Sequence, residues 1–279
     1  MSKKDEIKQM KVNPDYFVVM SNDLVRSCTN LSLNATKLLR LVISQCKLED
    51  DKFESFVLSI KDFAKALDIS EKNLYRDIQD ICVALLKEIV LIGDGNPRHP
   101  WVAHQWVAKC SYDNGLITIK LHDDLAKHLI NLRGNYTQYE ISRILWMKSV
   151  YSIRLYELLR MKATNFDKTI ANMGVVRVYL TISDIKKATM TETKYRQVND
   201  FYKNVIAHSI EEFNKIDWMF EFSCSSVKEG KSIVGYNFEI RSVVNGHKEK
   251  KEALKEFMSH YAPLKSEALG VVLPDNKDE

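Results

Sequence analysis

Leu58-Ser59-Ile60-Lys61-Asp62-Phe63-Ala64-Lys65-Ala66 returns 122 residues later as Leu180-Thr181-Ile182-Ser183-Asp184-Ile185-Lys186-Lys187-Ala188. Five of the nine positions are identical, and Ser59/Thr181 and Phe63/Ile185 are close substitutes. A self-match of this kind marks a duplicated structural unit when the surrounding pattern repeats with it.

The surrounding pattern does repeat. Ahead of the first copy, Ala35, Leu38, Leu39, Val42 and Cys46 fall at helical spacing within 32–47. An acidic loop and the apolar run Phe56 to Ile60 follow, then a short helix over 61–67, a turn at Asp68-Ile69-Ser70 and a long helix over about 71–91. The long helix gathers Leu74, Ile78, Ile81, Cys82, Leu85, Leu86 and Ile89 on one face. Two strands close the unit, Trp101 to Cys110 and Leu116 to Leu121, the second after an Asp113-Asn114-Gly115 turn.

The second half keeps the order. Helices are predicted over 138–147 and 150–164, a strand over Val175 to Leu180, and a short helix over 182–189. A long helix over about 194–216 places Val198, Phe201, Tyr202, Val205, Ile206 and Phe213 on one side. Trp218 to Val227, a Glu229-Gly230 turn and the alternating strand Ile233 to Arg241 complete it. A short helix turning into a long one, then a hairpin, is a winged helix-turn-helix. The predicted fold class is α+β, with tandem winged helix-turn-helix domains over 12–133 and 137–244 joined at Gly134. Residues 245–279 read as an appended helix and a disordered tail.

Composition limits the function classes. The chain has 279 residues, 28% of them charged and 45% hydrophobic, an ordinary globular balance. With 41 Lys plus Arg against 37 Asp plus Glu, the net charge of +4 permits nucleic-acid binding without announcing it. No run reaches the roughly 18 apolar residues of a membrane span, and the charged Met1 to Lys11 lacks a signal-peptide core. A cytoplasmic protein without membrane contact is expected. The five cysteines never lie closer than 18 residues, which suits reduced, buried thiols, not zinc ligands. His99 and His104 have no partners to complete a metal site, and no cofactor is expected. Gly230-Lys231-Ser232 ends like a phosphate-binding loop, but Ser225 stands where the loop needs glycine and a strand follows. Glu49, Asp50, Asp51 and Glu54 read as a solvated acidic loop. The chain has no His-x-His, which a rolling-circle nicking enzyme needs for its metal. No catalytic residue is expected.

In a helix-turn-helix the start of the second helix enters the major groove. Projected at helical spacing, Lys72, Asn73 and Arg76 lie opposite the apolar face of the first long helix, with Tyr75 at its edge. In the second, Arg196, Gln197, Lys203 and Asn204 lie opposite, with Lys194 at the edge. Arg pairs with guanine and Asn or Gln with adenine, so both helices offer base-reading chemistry. Across 186–204, Lys186, Lys187, Lys194, Arg196 and Lys203 exceed the acidic residues by three, while 245–279 carries a net charge of −1. Lys228 and Lys231 flank the second hairpin, and Arg98, His99, His104 and Lys109 the first, as phosphate contacts. The predicted binding residues are thus Lys72, Asn73, Tyr75, Arg76, Lys186, Lys187, Lys194, Arg196, Gln197, Lys203, Asn204, Lys228 and Lys231.

Ser149-Val150-Tyr151-Ser152-Ile153-Arg154-Leu155-Tyr156-Glu157-Leu158-Leu159 resembles the signature helix of the iteron-binding replication initiators of theta-replicating plasmids. Leu180 to Asp184 and Tyr195 to Asn214 resemble that family's second winged helix. The resemblance spans about 12–244. It implies binding of directly repeated origin DNA in successive major grooves, with 137–244 as the main reading domain and 12–133 contacting backbone and dimerising. It also implies opening of adjacent AT-rich DNA, recruitment of a host initiator and a replicative helicase or its loader, and repression of the protein's own gene at an inverted repeat. A tandem winged-helix repressor is the alternative. Arg154 and Glu157 read as a partly buried ion pair, and apolar surface from Trp101 to Val107 as a candidate dimer contact.

Overall fold

One hydroxyl starts each copy of the repeated nonapeptide. In the computed structural model Ser59 Oγ accepts the Asp62 N–H at 3.0 Å and Thr181 Oγ1 accepts the Asp184 N–H at 3.0 Å. These are helix N-caps, which satisfy an amide that the first turn leaves unpaired. The helices that follow, α3 (Ile60–Leu67) and α8 (Ile182–Thr189), are of equal length and end on left-handed residues, Asp68 and Met190. The repeat therefore matches cap to cap. The structure describes residues 7–243 except 14, 28, 48, 49, 51, 94–97, 164–168, 170–172, 218 and 219. The extension expected at 245–279 lies outside the described residues, as do Glu49 and Asp51 of the acidic loop; Glu54 faces Lys8 at 3.9 Å.

The first winged helix is built on a four-stranded sheet in the order β1-β3-β7-β6. Its strands are β1 (Ile7–Gln9), β3 (Ser55–Ser59), β6 (Val107–Asp113) and β7 (Leu116–Leu121), with only β1 and β3 parallel. Helices α2 (Leu33–Ile43), α3 and α4 (Glu71–Lys87) pack beside it, and α4 lies against α2, α3 and β6. The buried face of α4 is Leu74, Ile78, Ile81, Cys82 and Leu85. The helix ends at Lys87, short of the expected 91: Glu88 is extended and β4 (Ile89–Ile92) pairs with β5 (Val102–Gln105). The expected strand from 101 to 110 is two strands, because its partner changes at Trp106. Before Trp106 the chain pairs with β4 and after it with β7, and the indole between is fully buried.

The second winged helix uses α7 (Val150–Lys162), β9 (Val175–Thr181), α8, a long helix α9, and the hairpin of β10 (Phe220–Glu229) and β11 (Ser232–Ser242). Its sheet order is β10-β11-β9. α9 is continuous through Val198–Phe201, a π-helical stretch Tyr202–Ala207 and His208–Ile216. Phe201, Val205, Ile206 and Phe213 are buried, while Tyr202 is exposed.

The helix expected over 138–147 is a strand followed by one helical turn, β8 (Tyr136–Glu140) and α6 (Ser142–Leu145). Thr137, Tyr139 and Ile141 are buried while Gln138 and Glu140 are partly exposed, the period of two that a strand requires. β8 pairs antiparallel with β2 (Phe17–Ser21). Asn22, opening α1 (Asn22–Arg26), donates its backbone N–H to the Asn135 carbonyl at 2.8 Å. Residues 133–137, where the division into halves is expected, are thus bound to the start of the chain.

α7 is buried on nearly every side. It packs on α1 and β8 in one direction and on α8 and α9 in the other. Such a helix joins two cores. Its polar centre is Glu157, which accepts from Arg40 Nε of α2 at 2.7 Å and Nη2 at 3.1 Å. Tyr139 donates its hydroxyl to the same carboxylate at 2.5 Å, and the Arg40 guanidinium lies 5.6 Å from the Trp106 ring. Burial alone would lower the Arg40 pKa, but the Glu157 carboxylate beside it raises it above the ordinary value. Glu157 is therefore paired with Arg40, 117 residues away. Arg40 and Glu157 side chains are 6% and 4% exposed. Removing one partner from such a pair leaves a buried charge alone, at a cost of about 3–5 kcal/mol. Glu157→Ala is expected to lose about that much in equilibrium urea unfolding, and Arg40→Met with Glu157→Leu to recover most of it. A loss below about 1 kcal/mol in the single variant would contradict this assignment.

Candidate nucleic-acid interface

The two long helices present polar faces in different ways. α4 starts at Glu71, directly after the three-residue turn Asp68 to Ser70, and Lys72, Asn73, Tyr75 and Arg76 all lie on its exposed side. Arg76 pairs with its neighbour Asp77 at 2.7 Å in open solvent. Tyr75 leans toward the hairpin of β6 and β7. It meets Tyr112 edge to face at 6.5 Å, and its hydroxyl lies beside Gly115. Asn114 and Gly115 have φ of 46° and 80°, the consecutive left-handed pair of a tight hairpin turn, so Tyr75 joins the helix to its wing tip.

In the second unit the helix begins later than expected. α8 ends at Thr189 and α9 begins at Val198, with Gln197 extended as its N-cap. Lys194, Arg196 and Gln197, expected on the helix, occupy the preceding turn. The turn is built by its own bonds. Thr191 N–H donates to the Lys186 carbonyl at 2.8 Å and Lys194 N–H to the Thr191 carbonyl at 3.0 Å. Tyr195 then takes φ of 54°, a conformation that cannot continue into a helix. Helical spacing did not reveal this, because the apolar positions from Val198 onward are correct and only the start is displaced.

Lys203 and Asn204 are exposed on the π-helical stretch, and Asn204 Nδ2 donates to the Asp200 carbonyl at 2.8 Å. π-turns inside α-helices are rare and concentrate at functional sites. Arg196 and Lys187 are exposed, whereas Lys186 is partly buried. Lys194 Nζ donates to the Tyr151 hydroxyl at 3.3 Å and sits 5.8 Å from that ring. Lys228 and Lys231 are exposed at the second wing, whose turn bends at Gly230 with φ of 61°. At the first unit, Lys109 lies on wing strand β6, while Arg98 and His99 stand before β5 and His104 within it. His104 Nδ1 lies 3.2 Å from Asp124, which places it in a side-chain contact of the domain.

Three features of the second wing escaped the sequence reading. Tyr202 of α9 stacks on Tyr236 of β11 with ring centroids 5.6 Å apart. A cavity of about 210 Å³ opens beside them, lined also by Val198, Asn199, Cys224 and Ile233. Gly235 supports the Tyr179 ring, since a Cβ there would stand 2.5 Å from the Leu180 carbonyl and 2.7 Å from that ring. An isolated glycine inside an alternating strand was the available signal. Among the described residues, no group of three or more His, Cys, Asp or Glu is arranged to hold a metal ion, and no helix is long and apolar enough to cross a membrane.

With this geometry, the matches to known proteins agree in both halves. Residues 17–160 match the family model described as initiator replication protein, WH1, and residues 181–240 match the one described as initiator Rep protein, WH2. A solved structure, the Pi initiator protein in complex with iteron DNA, superposes with a TM-score of 0.71 at 19% identity, covering 83% of this chain and 99% of that one. Domains 2 and 3 of RctB superpose with a TM-score of 0.44 at 12% identity, covering 76% and 81% of the respective chains. The first model alone spans more than half of the sequence and the second covers the repeated unit, so this chain belongs to the initiator Rep protein family, with two winged-helix domains.

Proposed function

We propose that the chain starts plasmid replication by binding directly repeated origin sequences, iterons, with α4 and α9 in major grooves on one face of the duplex. The observation that carries this is the duplication itself: two capped helix-turn-helix units in one chain, each with an exposed polar helix start and an adjacent hairpin. The Pi initiator, which shares the fold, is seen holding iteron DNA. In this reading Arg196 and Gln197 read bases from the turn before α9, Lys203 and Asn204 from its π-helical stretch, and Asn73 and Arg76 from α4. A bidentate Arg–guanine pair contributes about 1–3 kcal/mol of discrimination. Lys72, Lys187, Lys194, Lys228 and Lys231 contact phosphates, which position the protein without reading sequence. No catalytic step is assigned to the chain. Bound at the origin, it helps open AT-rich DNA and brings in a host initiator and the replicative helicase or its loader.

Self-association is assigned to the ribbon of β4 and β5, which supports regulation of the protein's own gene at an inverted repeat. Ile89 and Leu91 of β4 and Trp101, which precedes β5, are 56%, 54% and 57% exposed, and an open apolar strand pair invites pairing with a second copy. Leu91→Lys is expected to leave only monomer in sedimentation at concentrations where the wild type dimerises. A persistent dimer would move the interface elsewhere.

Footprinting on the DNA upstream of the gene tests the main reading. Several protected direct repeats, each spanning about two helical turns, are the expected result. Protection of a single palindrome alone would replace initiation with repression.

A further inference from the structure

Lys186 differs from the exposed Lys187, Lys228 and Lys231 of the second unit because it is partly buried and its ammonium reaches the backbone of the inserted turn. Lys186 Nζ donates to the Tyr195 carbonyl at 3.1 Å and reaches the Lys194 carbonyl at 3.5 Å. It also lies 5.3 Å from the centroid of the Phe201 ring, which is fully buried at the first turn of α9. Two of the three ammonium donors are thus directed at backbone carbonyls, which leaves at most one for a phosphate. Here the head spans α8, the inserted turn and α9. The turn it meets needs support, since left-handed backbone at a bulky residue such as Tyr195 is disfavoured and persists only where its surroundings fix it. The first unit supplies the control. The position 122 residues earlier is the buried Ala64, and there the turn is five residues shorter and holds no such bulge.

We propose that Lys186 is a positioning residue: it staples the turn from Thr191 to Gln197 onto the foot of α9 and so sets where Arg196 and Gln197 stand. The turn then acts as a specificity element that the first winged helix lacks. The staple stands on the contacts alone, while its consequence for base selection rests on the DNA-binding reading above.

Two measurements separate these parts. Amide hydrogen exchange on the DNA-free full chain tests the staple. Lys186→Met is expected to speed exchange at the Thr191 and Lys194 amides, with Lys186→Arg restoring protection. Unchanged protection in Lys186→Met would overturn the staple. If Lys186→Met fails to fold, Lys186→Ala, which places at this position the residue found at 64 in the first unit and removes every donor, carries the same comparison.

Binding is read on the duplex of about 30 base pairs, roughly three helical turns, that the wild type selects from a random library, against a scrambled duplex of the same composition. Lys186→Met is expected to lower the ratio of selected to scrambled affinity about tenfold. The slope of log affinity against log salt should stay unchanged, and Arg196→Ala should cost less in the Lys186→Met background than in the wild type. A slope reduced by about 0.9 with the ratio intact would make Lys186 a phosphate contact and overturn the proposal, as would losses that simply multiply. If the wild type selects no duplex, the base-reading function falls while the exchange result still decides the staple.

Discussion

The bidentate pair between Arg40 and Glu157 connects the first helix of one winged helix to the first helix of the other. Apolar packing around α7 brings the two winged helices together. A buried guanidinium–carboxylate pair adds a geometric constraint, because both forks must face each other and any offset leaves charge unpaired in a dry site. Tyr139 and Trp106 close the remaining sides of the pair. α7 belongs to the first family model by sequence and packs on α8 and α9 of the second unit. α4 and α9 are thus linked through α7, α2 and the contacts between them inside the protein.

Within that frame the two units have diverged where they face outward. Their caps remain alike at Ser59 and Thr181, as do the left-handed ends at Asp68 and Met190. Past Met190 the second unit inserts a turn that carries Lys194, Arg196 and Gln197, and its helix contains a π-helical stretch under Lys203 and Asn204. In the first unit, Tyr75 instead ties the helix to the wing tip. Duplication preserved what folds each unit, and the exposed chemistry changed around it.

This division also explains what could be read from the sequence. Caps, apolar periodicity and the Asp113-Asn114-Gly115 turn are local, so the repeated core, the two wings and the basic segment near α9 were legible. β8 does not read as a strand because its alternation is brief and its partner β2 lies over 110 residues away. Trp106 splits a strand for a tertiary reason, its burial against Arg40. Arg40, which pairs with Glu157, sits on α2, and no spacing rule indicates it. The inserted turn is not legible in the sequence because nothing marks Tyr195 as a residue with left-handed backbone.

If the Arg40–Glu157 pair and the packing of α7 hold α4 and α9 in one relation, the two helices engage DNA together only at a fixed phase on the duplex. Insertion of 5 base pairs, about half a helical turn, between the two major-groove segments protected in the wild-type complex tests it directly. Affinity for the altered duplex is expected to fall to that of a duplex carrying one segment alone. Affinity that survives the half-turn insertion would show that the two winged helices turn independently, and would contradict the fixed phase.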